Sequence, residues 1–219
     1  MLAHSPLVQL LWAFAFLLFV GFCLLILMSS FGCQADQRQT AVTQETEKPP
    51  VPSAIGENVV KITVTSSAFK DGSPIPKKHT GEGEDVSPAL SWSGVPAGTQ
   101  ELALICDDPD APTPEPWVHW VIYKIPAAAT GLPEGVAKTA HLKEPAGALQ
   151  GKNSWPDGEN TGYGGPMPPP GHGRHRYYFK LYALKAPLAV QAGLTKKQLL
   201  AQMSGKILAE GQLMGTYER

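Results

Sequence analysis

The first 33 residues contain no Asp, Glu, Lys or Arg, so every formal charge of the 219-residue chain stands after Cys33. This asymmetry splits the chain into two physical regimes before any motif is read. Residues 7–28, LVQLLWAFAFLLFVGFCLLILM, hold Gln9 as their one clearly polar side chain. As a helix the stretch would extend about 33 Å, enough to cross the hydrocarbon core of a bilayer. A helix packed on a soluble core keeps a polar stripe, and this stretch has none. Residues 1–33 are therefore expected to be a membrane anchor or signal segment, a transmembrane or signal helix ahead of the domain.

The apolar run exceeds the length usual for a signal peptide and lacks a Lys/Arg-rich start. Ser30-Phe31-Gly32-Cys33 is similar to the lipobox of bacterial lipoproteins, which makes Cys33 a lipidation candidate. An uncleaved anchor through residues 7–28, an acylated Cys33 and plain secretion all stay open. Each places the rest of the chain on the extracytoplasmic face, periplasmic or outer.

Residues 34–58 are polar, lack aromatic residues and carry Pro49, Pro50 and Pro52, as expected of an extended linker. Residues 59–219 hold 16 basic and 15 acidic residues. That near-balance excludes the strong basic excess of a nucleic-acid binder. Of the three cysteines only Cys106 falls in this domain, so no disulfide can form within it. It lies in an apolar run and reads as a small buried hydrophobe.

The domain reads as mainly β. Val60, Ile62 and Val64 alternate, 101–106 is apolar, and 117–125 and 176–184 are long, aromatic and β-branched. One helix is expected, capped by Thr195, with Leu199, Met203 and Ile207 at a spacing of four and Gly211 as its stop. The expectation is an antiparallel β-sandwich or Greek-key core with a few short peripheral helices. Residues 155–173 interrupt it, with Gly or Pro at 11 of 19 positions. Long ordered loops in compact domains are often functional.

Polar chemistry concentrates at three strand ends. Asp107-Asp108-Pro109-Asp110-Ala111-Pro112 follows an apolar run, Trp117-Val118-His119-Trp120 opens another, and Gly171-His172-Gly173-Arg174-His175-Arg176-Tyr177 leads the Gly/Pro loop into a third. By the period-two rule Trp117, His119, Val121 and Tyr123 share one strand face. A buried His119 needs a partner, and a carboxylate on a neighbouring strand end would serve. Each stretch also has a plainer reading, as turn chemistry for Asp-Pro-Asp or as a satisfied core histidine for His119. Metal-ligand spacing, a nucleophile-elbow serine and phosphate-loop glycines are missing from the sequence, so neither a metal nor a cofactor is expected.

Taken together, Asp108-Pro109-Asp110-Ala111-Pro112, Trp117-Val118-His119-Trp120 and Gly173-Arg174-His175-Arg176-Tyr177 resemble the motifs of the phosphatidylethanolamine-binding protein (PEBP) family, in order and spacing. Phe69-Lys70-Asp71-Gly72, Val86-Ser87-Pro88-Ala89-Leu90-Ser91-Trp92 and Thr161-Gly162-Tyr163-Gly164-Gly165-Pro166 resemble its bacterial Raf kinase inhibitor-like branch. The resemblance spans 59–219 and none of 1–58. It implies a PEBP-like fold and a pocket for a phospholipid head group or small anion, lined by Asp108, His119, His175 and Tyr177. Asp110 and Arg176 would support it, Pro168 would lie on its rim, and Tyr217 is a further ligand-binding candidate. No common catalytic reaction comes with the family, so the expected function is an envelope-tethered, non-catalytic binding protein. A hydrolase using the Asp/His pocket and a partner-binding protein acting through the rim loop are the alternatives, with the protein partner unnamed.

Overall fold

The computed structural model describes residues 60–219. The apolar segment 7–28, Cys33 and the linker 34–58 lie outside the described residues. Among the described residues no helix is long and apolar enough to cross a membrane.

Among the described residues nine strands form two sheets: β1 (Val60–Lys61), β2 (Thr63–Ser66), β3 (Leu90–Ser93), β4 (Glu101–Asp108), β5 (Trp117–Pro126), β6 (Gly131–Leu132), β7 (Leu149–Gln150), β8 (His175–Leu184) and β9 (Ile207–Tyr217). Six make a sheet in the order β1-β9-β8-β4-β5-β7, and β2-β3-β6 make the second. All pairings are antiparallel except β1 with β9. The fold is thus mainly β, as the alternating runs predict. The alternation over 60–64 is split, however. β1 pairs with β9, the Ile62 amide donates to the Glu210 carbonyl at 2.7 Å, and β2 continues into the smaller sheet. One short run therefore ties the two sheets together.

Between the sheets lies the larger core. Val64, Leu90, Trp92 and Leu132 from the three-stranded sheet meet Leu102, Leu104, Trp120, Ile122, Phe179, Leu181 and Leu213 from the six-stranded one. The outer face of the larger sheet carries a second core of Ala103, Ile105, Val121, Tyr123, Tyr182, Leu184, Leu199 and Met203. β4 is consequently buried along its whole length. Its apolar run lacks alternation for that reason. A buried Leu, Ile or Phe side chain contributes about 1.5–3 kcal/mol, so these two layers account for most of the driving force.

The single α-helix among the described residues, α1 (Lys196–Met203), is shorter than its spacing predicts. Thr195 caps it in a capping box: Thr195 Oγ1 accepts from the Gln198 amide and Gln198 Oε1 accepts from the Thr195 amide. Leu199 and Met203 bury against the outer face, as expected. Ile207 and Gly211 do not belong to it. A turn through Gly205, at φ +70°, starts β9 instead. Gly211 stands in mid-strand, where a Cβ would lie 2.0 Å from the Ile62 carbonyl oxygen. The inward positions of β9 include glycine and alanine because β1 and its neighbours crowd it, and small residues mask a strand's hydrophobic alternation.

Candidate functional site

Four strand ends converge at one edge of the large sheet. β4 ends and β5 begins there, with Asp108 opposite Trp117, and β8 begins there, with His175 opposite Tyr217 at the end of β9. The ends of β4, β5 and β8 border a cavity of about 250 Å³. Asp108, Thr113, His119, His175 and Tyr177 form its polar lining, and Trp117, Trp155, Met167, Pro168 and Pro169 supply apolar walls. The loop of 155–173 thus contributes both a wall and a rim.

An irregularity in β5 aims His119. The register pairs Cys106 with Trp120 and then Asp107 with Val118, which leaves His119 unmatched. Such a bulge turns a side chain away from strict alternation. Val121 and Tyr123 face the outer core, whereas Trp117 and His119 line the cavity. The shared face predicted for all four residues does not exist, and the bulge is the physical reason.

The Nδ1 of His119 lies 2.7 Å from the Gly164 carbonyl oxygen. A carbonyl can only accept, so Nδ1 carries the hydrogen and Nε2 is the ring's lone-pair nitrogen. Burial pushes the His119 pKa down, against the opposing pull of the Gly164 carbonyl and of the Asp108, Asp107 and Asp85 charges. The ring meets Trp155 and Tyr177 edge-on, at 5.0 Å between centroids in both cases. Gly164 makes this seat possible, because a Cβ there would lie 3.0 Å from the Trp155 ring.

Asp108 is buried, and the protein uses both its oxygens. Oδ1 accepts from the Asp110 amide at 2.8 Å and Oδ2 meets His175 Nδ1 at 2.7 Å. The carboxylate therefore orients His175 rather than facing the cavity as a bare acceptor. The Nε2 of His175 lies 2.7 Å from Nδ1 of His172. The Tyr177 hydroxyl is buried and makes no hydrogen bond of normal geometry, although the Asp108 carboxylate stands near enough to act on it. Burial first, then the Asp108 charge, push its pKa far up, so it remains a neutral phenol.

Asp110 and Arg176 stand outside the lining. Arg176 Nε and Nη2 donate to the two Asp110 oxygens at 2.9 and 2.8 Å, and the Arg176 amide adds a third bond. Burial alone would raise the Asp110 carboxyl, but these contacts with Arg176 outweigh it and hold the pKa low. The fork clamps the turn after β4 to the start of β8, which keeps Asp108 beside His175. Tyr217, predicted to bind ligand, is not among the lining residues; its hydroxyl donates to Glu82 at 2.6 Å. Trp155 lines the pocket, and His172 touches His175 without lining it; neither was among the predicted ligand-binding residues. Each stood within a stretch already marked, His172 between two glycines and Trp155 at the head of the Gly/Pro loop.

A family model for phosphatidylethanolamine-binding protein matches residues 65–218. The chain belongs to the PEBP family. A UPF0098 protein of Methanothermobacter thermautotrophicus is 46% identical over 158 residues, covering 72% of this chain and 99% of that relative. The crystal structure of E. coli YbcL, itself described as a member of the mammalian PEBP family, shares 36% identity at a TM-score of 0.66, covering 73% of this chain and 99% of YbcL. A UPF0098 protein of Mycobacterium bovis is 35% identical over 207 residues, covering 91% of this chain and 92% of that relative. This last span exceeds the 161 residues of 59–219, so the likeness continues into the leading region. The PEBP fold and its three motif stretches thus meet at one cavity.

Proposed function

We propose that the domain is a non-catalytic binding module for small oxyanions and phosphorylated head groups such as phosphoethanolamine, carried on the extracytoplasmic face of a membrane. The buried Tyr177 hydroxyl carries this reading, because a buried polar atom inside a cavity that makes no hydrogen bond of normal geometry calls for a ligand atom. An oxyanion would accept from that hydroxyl and from a His175 that is protonated on both nitrogens and balanced by Asp108 behind it. Asp108 next to an anion is no contradiction on these terms, since both its oxygens are turned inward. The Thr113 hydroxyl in the lining donates to the Glu115 carbonyl rather than to a histidine, which favours binding over hydrolysis. The membrane part of the reading is supported by the uncharged run 7–28.

Titration calorimetry of residues 59–219 with sulfate tests the pocket. The domain is suited to this because the Methanothermobacter relative consists of little else. Sulfate keeps its charge between about pH 5 and 8, the range in which histidines change theirs. Saturable binding that strengthens toward pH 5 and weakens at least about tenfold in His175→Ala is the expected result; a tenfold loss matches removal of one charge-assisted hydrogen bond. Failure of sulfate, phosphate and phosphoethanolamine alike to bind saturably would overturn the reading.

A further inference from the structure

His172 holds no part of the core together. It is exposed and lies between Gly171 and Gly173, at φ +73° and +87°. A Cβ at either glycine would meet nothing within 4 Å. Yet its Nδ1 makes a 2.7 Å contact with Nε2 of His175, which is 2% exposed. Two ring nitrogens at that distance share one proton, one donating and the other accepting. The other polar positions of the Asp108–His175 pair are already used, Asp108 Oδ1 by the Asp110 amide and Oδ2 by His175 Nδ1. Nε2 is therefore the one position from which the pair can donate to a ligand oxygen, and His172 meets it.

We propose that His172 is a displaceable stand-in for the ligand: its imidazole occupies the hydrogen-bonding position at His175 Nε2 that a bound oxyanion must take, so binding requires His172 to swing away. This inference rests on the anion-binding reading above. The segment before it is held in place, because the Gly171 amide donates to the Arg219 carbonyl at 3.0 Å and Arg219 Nη1 donates to the Pro168 carbonyl at 3.2 Å. Opening is thereby confined to the His172 side chain and the unobstructed glycine after it. An incoming oxyanion accepts from Nε2–H, a role that a neutral imidazole fills only through its lone pair. The exchange selects ligands whose oxygens carry negative charge over neutral donors, which gain nothing over His172 itself.

Apparent affinity equals intrinsic affinity multiplied by the open fraction. For a contact as strong as an ordinary protein hydrogen bond, removing His172 raises phosphate affinity by about fivefold. The test uses residues 59–219, wild type and His172→Ala, titrated with inorganic phosphate by calorimetry. Imidazole nitrogen resonances of the ¹⁵N-labelled wild type are followed in parallel. The expected result is tighter binding in His172→Ala, with the His172 nitrogen signals of the wild type shifting from hydrogen-bonded to free values at saturation. Phosphate binding with those signals unmoved, or equal or weaker binding in His172→Ala, overturns the inference and leaves the anion pocket standing. Absence of phosphate binding in both proteins overturns the inference and the pocket reading together.

Discussion

His119 and His175 line the same cavity, and the protein treats them in opposite ways. A carboxylate backs His175, whereas His119 meets only a carbonyl and aromatic edges and is pushed toward neutrality by burial. That difference has a signed consequence for stability. An unfolded His119 takes up a proton near pH 6.5, while the folded one resists until lower pH. The stability contributed by its neutral form is complete above about pH 6.5 and is lost as pH falls through the lowered folded value. We expect the melting temperature of residues 59–219 to fall by a few degrees between pH 7 and 5, and His119→Gln to flatten that window while the steeper acid losses of carboxylates such as Asp110 remain. Thermal melts followed by circular dichroism at half-unit pH steps would show it, and an unchanged slope in the variant would refute it. The identities of Asp108, His119, His175 and Tyr177 were legible in the sequence because motifs are strings of residue types. Their burial partners were not, because Gly164 and Gly165 give no sign of which carbonyl will face an imidazole. Tyr217 was misplaced for the same reason: facing His175 across a strand pair does not fix where a phenol points, and Glu82 draws it away.

Strand β9 carries most of what the sequence concealed at the level of elements. A helical spacing continues through Ile207 only on paper, because Ser204 to Lys206 form a turn and the inward positions that follow, Leu213 apart, are small. Gly211 sits where the Ile62 carbonyl closes over the strand, and Gly215 sits where a Cβ would approach Ile75 Cγ1 to 2.5 Å. Substituting Gly211→Ala should cost about 1–3 kcal/mol, the usual price of overpacking a close contact. Urea unfolding would report it as a lower midpoint with the same slope, and sulfate affinity should be unchanged because Gly211 lies far along the strand from the cavity. Midpoints equal to wild type would show that β1 yields more easily than its carbonyl contact suggests. The long strands β4, β5 and β8 were legible because they bury apolar and aromatic side chains. The bulge that frees His119 was not, since an extra residue in a strand leaves no mark in composition.

At the scale of the whole molecule, the proposal puts the uncharged leading segment in a membrane and the charge-balanced domain in water. If the first drives membrane association, the full chain should sediment with the membrane fraction and a chain lacking residues 1–33 should not. Cys33→Ala should release the protein only where acylation is the anchor, and intact mass spectrometry of the extracted protein would report the acyl chain directly. Recovery of the full chain in the soluble fraction would refute the tether. Composition alone predicts a boundary, because charge begins only after Cys33 and three prolines crowd the stretch before residue 58.

The parallel pairing of β1 with β9 matters beyond the fold. Val60 lies beside Ala209, whereas the cavity lies beyond Tyr217 at the other end of the same strand, eight residues or about 26 Å away. Val60 itself therefore lies at the edge remote from the cavity. A chip surface, a bead or a fused reporter attached at Val60 would leave the mouth unobstructed, whereas one attached after Arg219 would press on the segment that holds Pro168 and Gly171 in place.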